Sequence, residues 1–124
     1  MKTWRVVAAA YMAERINEIV EWYEDNRSDE LADKVRNALF RGFATLSQNP
    51  EGNPLSSRYL PGTFHRVRVG TEEHTIYYHI DRKKMEVLIY LILGKGQDAP
   101  RPIEHKRTVK GAKDDAYEVK PRTG

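Results

Sequence analysis

The stretch from Thr63 to Leu93, TFHRVRVGTEEHTIYYHIDRKKMEVLIYLIL, limits what this chain can fold into more than any other. Val, Ile, Thr, Tyr and Phe crowd three runs, and the breaks at Gly70–Glu73 and Asp81–Lys84 carry Gly, Asp and charge. Three consecutive strands joined by two short turns follow from that pattern. The last run, Met85–Leu93, is apolar on both alternations, as expected of a strand that lies centrally or is covered on both faces. The first two runs alternate more visibly, so one of their faces is expected to be wet or functional.

Pairing Val69 with His74 across the first turn fixes the register through the two-residue side-chain period. Val67 then faces Ile76 and His65 faces Tyr78 on one side. Arg68 faces Thr75, Arg66 faces Tyr77 and Phe64 faces His79 on the other. Carried through the second turn, this register adds Val87, Ile89 and Leu91 to the first side, which becomes the core side. The second face gathers Arg66, Arg68, Tyr77, His79, Glu86 and Tyr90. A slip of one residue would exchange the faces and bury both arginines, which argues for the register as drawn.

The rest of the chain reads as one domain. At 124 residues it is long enough for a core without metals or disulfides, and there are no cysteines to supply either a bridge or a thiolate site. Thr3–Val7, bearing Trp4, reads as a first strand. From Ala8 the pattern becomes helical, with Met12, Ile16, Ile19, Val20 and Tyr23 on one face. Asp25–Ser28 ends that helix, and Ser28 or Asp29 can cap a second one running to Leu46. Leu31, Val35, Ala38, Leu39, Gly42 and Leu46 form its buried stripe, with Phe43 at the edge. The short link predicts an antiparallel helical hairpin. Asn49-Pro50 closes the second helix, and Glu51–Gly62 is a loop whose Arg58 and Tyr59 could reach the second face. After Leu93 the composition turns charged. Residues 100–124 read as a basic, flexible tail, with one short strand signal at Ala116–Val119.

Charge and composition narrow the function. The net charge of +3 and pI near 9.2 permit a nucleic-acid or acidic-protein partner without requiring one. The short apolar run after Met1 soon meets Glu14 and Arg15, so it reads as neither a signal peptide nor a membrane span, and a cytoplasmic protein is expected. No His, Asp and Glu cluster has metal-ligand spacing, and Gly94-Lys95-Gly96 is too short for a phosphate loop, so no metal or cofactor is expected. His65 reads as a satisfied, partly buried histidine. His74, beside a turn, reads as solvated.

The order β–α–α–β–β–β, the helix ERINEIVEWYEDN (Glu14–Asn26), the helix end LSQNPEG (Leu46–Gly52), the strand HTIYYHID (His74–Asp81) and the closing KMEVLIYLILGKGQD (Lys84–Asp98) together resemble the RelE/ParE superfamily of toxins from bacterial type II toxin–antitoxin systems. The resemblance covers roughly Thr3 to Ala99, and the toxin-like domain is expected to span residues 1–99. It implies a single α+β domain with the helical hairpin packed on a mainly antiparallel sheet. It also implies a cognate antitoxin, and hence a toxin–antitoxin hetero-oligomer. RelE-like members cut mRNA on the ribosome without a metal, whereas ParE-like members poison DNA gyrase. The RelE-like pattern places an arginine on the middle hairpin strand, where this chain has Thr75, and another after the last strand, where Lys95 is followed by Gly96. Those departures favour the ParE-like branch, a gyrase inhibitor with no catalytic residues. The alternatives are a metal-independent endoribonuclease using Arg66, Arg68, Tyr77, His79 and Glu86, and a non-toxic binding module of the same fold. Arg58, Arg66, Arg68, Tyr77, Tyr90 and Lys95 are the residues expected to meet a target or the antitoxin.

Overall fold

In the computed structural model the described residues are 3–55, 64–95 and 116–118. The elements run β1 (Arg5–Ala9), α1 (Ala10–Asn26), α2 (Asp29–Gln48), a 3₁₀ turn (Pro50–Gly52), β2 (His65–Val69), β3 (His74–Asp81), β4 (Glu86–Leu93) and β5 (Ala116–Glu118). The sheet order is β2-β3-β4-β1-β5. β1 lies parallel to β4, and the other pairings are antiparallel. The two helices pack on one face of this mixed sheet. The strand at Ala116–Glu118 forms where the sequence signals it and pairs with β1, so the region beyond residue 99 adds a strand to the sheet. Arg58 and Tyr59 lie outside the described residues.

Each helix forms for the reason its sequence gives. Ser28, extended at φ −159°, accepts a hydrogen bond from the Leu31 amide at 3.1 Å and so satisfies one orphan donor at the start of α2. Of the two candidate caps, Ser28 is the one used. Met12, Ile16, Ile19, Val20 and Tyr23 are buried along α1, and Ala32, Val35, Leu39, Gly42, Phe43 and Leu46 along α2. Phe43 is not at an edge: it is fully buried, with Phe40 packed edge-on against its ring. Large buried side chains of this kind each contribute about 1.5–3 kcal/mol of burial free energy. Ser47 ties the end of α2 to the start of the sheet, since its hydroxyl donates to the Trp4 carbonyl and its carbonyl accepts from the Trp4 amide, both at 2.8 Å.

The hairpin register is the one the turn predicts: Val69 pairs with His74, Val67 with Ile76 and His65 with Tyr78. Beyond it the ladder departs from the regular period. Tyr77 pairs with Leu91 but Tyr78 pairs with Ile89, leaving Tyr90 as the extra residue of a β-bulge. The bulge returns Ile92, rather than Leu91, to the helix-facing core, alongside Val87 and Ile89. It also moves His79 opposite Leu88 and Asp81 opposite Glu86.

A bulge interrupts the ladder at Tyr90, one residue past the pairing of Ala8 with Ile89 between β1 and β4. The Tyr90 carbonyl accepts a hydrogen bond from the Tyr11 hydroxyl at 2.7 Å. Burial first, and then the nearby Tyr90, push the Tyr11 phenol well above its usual range, so it stays a donor at any physiological pH. Tyr11→Phe should remove this bond and lower stability by about 0.5–1.5 kcal/mol. Urea denaturation checks it; an unchanged midpoint would mean the bulge does not depend on this bond.

Candidate functional site

The second sheet face is expected from the sequence to be wet or functional. The structure buries its aromatic part. Phe64 stacks on Tyr90 with ring centroids 4.9 Å apart and planes at 24°, and its ring also meets His79 edge-on at 6.2 Å. Phe64, Tyr77, Leu88 and Tyr90 are all buried, as is Val7 from β1. Tyr77 and Tyr90 therefore do not stand on an open surface where a partner would meet them. The bulge, which sets Tyr90 and Leu91 toward the same face, packs this layer more densely than strict alternation allows.

The other candidates separate into two groups. Arg66 and Arg68 are exposed on the edge strand β2. Arg68 reaches across the turn to Glu73 at 3.6 Å, and Lys95 reaches the same carboxylate at 3.1 Å. The hydrogen-bonded Lys95 ammonium holds the Glu73 carboxyl below its ordinary range, with Arg68 adding to the effect. His79 and Glu86 form the second group. They are not direct cross-strand partners, and Glu86 is instead paired with Arg5 at 2.9 Å. Both border a polar cavity of about 220 Å³, whose wall also includes Arg5, Asp81 and Lys84. The sequence reading did not find Arg5, because nothing local to β1 shows that it lies parallel to β4.

His65 behaves as expected. Its Nδ1 donates to the Asn53 carbonyl at 2.8 Å, and its ring stacks on Tyr78 at 5.5 Å. Tyr78 is fully buried, donates to the Pro50 carbonyl at 2.6 Å and accepts from the Asn53 amide at 3.0 Å. Burial pushes its phenol up to about 12.

His74 corrects the reading. It is 4% exposed, on the helix-facing side, with the Tyr23 ring edge-on at 5.7 Å. The turn beside it is exposed at Gly70 and Thr71, but Tyr23 of α1 closes over the imidazole. It lies on the wall of a cleft of about 680 Å³ between α1 and the β2–β3 turn, together with Trp22 and Lys95. Among the described residues no group of three His, Asp or Glu side chains could hold a metal ion, and no helix is long and apolar enough to cross a membrane.

With this geometry, residues 8–99 match the family of the ParE toxin of type II toxin–antitoxin systems, parDE. The fold is that of the RelE/ParE superfamily. A solved structure of the E. coli toxin RelE, an arginine-to-alanine double mutant in the free state, superposes with a TM-score of 0.51 at 10% identity, covering 90% of this chain and 96% of that one. No curated protein sequence matches. The chain belongs to the ParE toxin family, which implies an antitoxin partner.

Burial holds the His74 imidazole neutral, its pKa below the ordinary 6.5; Glu72 opposes the shift and Arg15 adds to it. The stabilisation is therefore complete above pH 6.5 and declines as pH falls toward the folded-state value, because the unfolded chain takes up the proton first. His74→Gln should flatten the loss of stability between roughly pH 7 and pH 5, measured by urea denaturation across that range. An equally steep loss in the variant would assign the acid sensitivity to other groups.

Proposed function

We propose that this chain is the toxin of a type II toxin–antitoxin pair that acts on DNA gyrase through protein–protein contact, and that the antitoxin neutralises it. The observation that carries the proposal is the match of residues 8–99 to the ParE toxin family. The arrangement of the second face supports the same reading. Cleaving RNA without a metal needs a base, a cation and an acid around one phosphate. Of the five residues that could supply them, Tyr77 is buried, Arg68 is held at Glu73, and Glu86 is held at Arg5. Arg66 and Arg68 stand on the edge strand, whereas His79 and Glu86 border a separate cavity whose lining includes neither arginine.

One observation favours the endoribonuclease reading. His79 and Glu86 share their cavity with Arg5 and Lys84, so an acid, a base and cations do line one space.

Purified protein added to gyrase supercoiling of plasmid DNA, and in parallel to cell-free translation with mRNA mapping, separates the two. The gyrase reading expects loss of supercoiling or trapped cleaved DNA with intact mRNA, and His79→Ala should retain that effect. Ribosome-dependent mRNA cuts abolished by His79→Ala would overturn it and make the polar cavity an active site.

A further inference from the structure

We propose that two copies of this chain associate through the outer flank of α1, packed antiparallel about a two-fold axis, so that Tyr11 of each copy meets Trp22 of the other and Arg15 meets Glu18. Such a dimer is independent of the target on which the toxin acts.

Among the described residues three large hydrophobic side chains are exposed: Tyr11, Trp22 and Leu55. Two of them sit on one helix. Tyr11 and Trp22 are eleven positions apart on α1, three turns of about 3.6 residues, and so share a face about 16 Å long. Arg15 and Glu18 fall between them on that face, within roughly 40° of Tyr11. The buried stripe of α1 lies to one side of these four residues, and Glu14 and Glu21 lie to the other, toward solvent. Both rings are already held. The Tyr11 hydroxyl is fixed to the Tyr90 carbonyl, and Trp22 meets the Tyr23 ring edge-on at 5.0 Å. Trp22 is 53% exposed and Tyr11 38%, so each presents apolar surface whose burial is favourable and whose ordering costs little.

The order of the four residues gives the occupant. They are placed symmetrically about the midpoint between Ile16 and Asn17, so reversing the helix superposes Tyr11 on Trp22 and Arg15 on Glu18. A second α1 laid antiparallel at about 8–10 Å, the usual separation of packed helices, therefore sets ring against ring and cation against carboxylate at every position. A two-fold interface requires a surface complementary to itself, and this one is. Within one copy the Arg15 guanidinium lies 3.8 Å from Glu18, a loose pair, so across the axis the four charges alternate in sign. Parallel helices in register would oppose Arg15 to Arg15 and Glu18 to Glu18, so the charges select the antiparallel arrangement. Glu14 and Glu21 approach one another only at the rim, where salt screens them. The neighbouring cleft is lined by Glu18, Glu72 and Glu73 and by Arg15, Arg27 and Lys95, a balance that favours no strongly charged partner. Three helical turns make a small contact, so the dimer is weak. The dilute chain is monomeric with both rings exposed, and they are covered as its concentration rises.

Sedimentation velocity of the full chain across a concentration series tests it. The mass should climb from 14.4 kDa toward twice that value, and hydroxyl-radical modification of Tyr11 and Trp22 should fall in step. Trp22→Ala should weaken association at least roughly 30-fold, the scale of losing a central aromatic anchor. Arg15→Glu and Glu18→Arg, each alone, should weaken it roughly 10-fold or more, because like charges then meet across the axis. An equimolar mixture of those two variants should associate at least as tightly as the parent, since every introduced charge then faces its opposite. That recovery separates a lost interface from a lost fold, which matters because Arg15 also approaches the Ile92 carbonyl. Leu55→Ala, exposed but not on α1, should associate as the parent does. Circular dichroism verifies that each variant is folded. A chain that stays monomeric throughout the series overturns the proposal. So does self-association unaffected by Trp22→Ala, or a mixture of the charge variants that stays as weak as either alone. Protection of Trp22 by gyrase or another protein, with the chain alone monomeric, gives the flank to a different occupant and also overturns it.

Discussion

The rest of the structure depends on how β4 is accommodated at its bulge. A strand apolar on both alternations must be covered on both sides, and here it lies third in a sheet of five, with helices on one face. The extra residue at Tyr90 lets its two halves serve different needs. Val87 and Ile89 face the helices before the bulge and Ile92 after it, while Tyr90 and Phe64 stack on the opposite face. The carbonyl at the bulge is taken up by Tyr11, and Arg15 Nε approaches the Ile92 carbonyl at 3.4 Å. The start of α1 is thus fixed to the irregular part of the sheet by polar contacts as well as by apolar packing.

That arrangement bears on chemistry. A face closed by Phe64, Tyr77, Leu88 and Tyr90 confines its open space to the polar cavity beside His79 and Glu86, and further exposed cations stand at the sheet edge and at the rim of the α1 cleft. Glu73 is the residue that connects those two regions, because Arg68 from β2 and Lys95 from beyond β4 both reach it. Exposed ion pairs of this kind add little stability. Their consequence is positional: they tie the segment after β4 to the β2–β3 turn.

The sequence shows how far periodicity carries and where it stops. The α1 face, the Ser28 cap and the pairing of Val69 with His74 all follow from local rules, and the structure contains them. In the α2 stripe, by contrast, Leu31 and Ala38 are only half-buried and Ala32 is buried. The bulge is different. No residue near Tyr90 announces it, since the run Val87–Leu93 is apolar whichever way it is threaded, and its position is settled by packing and by Tyr11. From that point Leu91 and Ile92 exchange faces and His79 moves away from Glu86. His74 sits beside a turn and looks solvated until Tyr23, fifty-one positions earlier, closes over it. Arg5 and Glu86 meet only because β1 runs parallel to β4, a long-range pairing with no local signature. Trp22 did carry a signal, as a large apolar residue just outside an otherwise buried helical stripe.

The central claim is that the second face of the sheet is a packed layer closed by Phe64, Tyr77, Leu88 and Tyr90. Hydroxyl-radical footprinting of the purified chain, read residue by residue by mass spectrometry, tests it directly. Tyr77 and Tyr90 should be protected, while Trp22 and Tyr11, which the structure leaves exposed, should be modified readily. Modification of Tyr77 and Tyr90 at the rate of Tyr11 would show an open face and contradict the account.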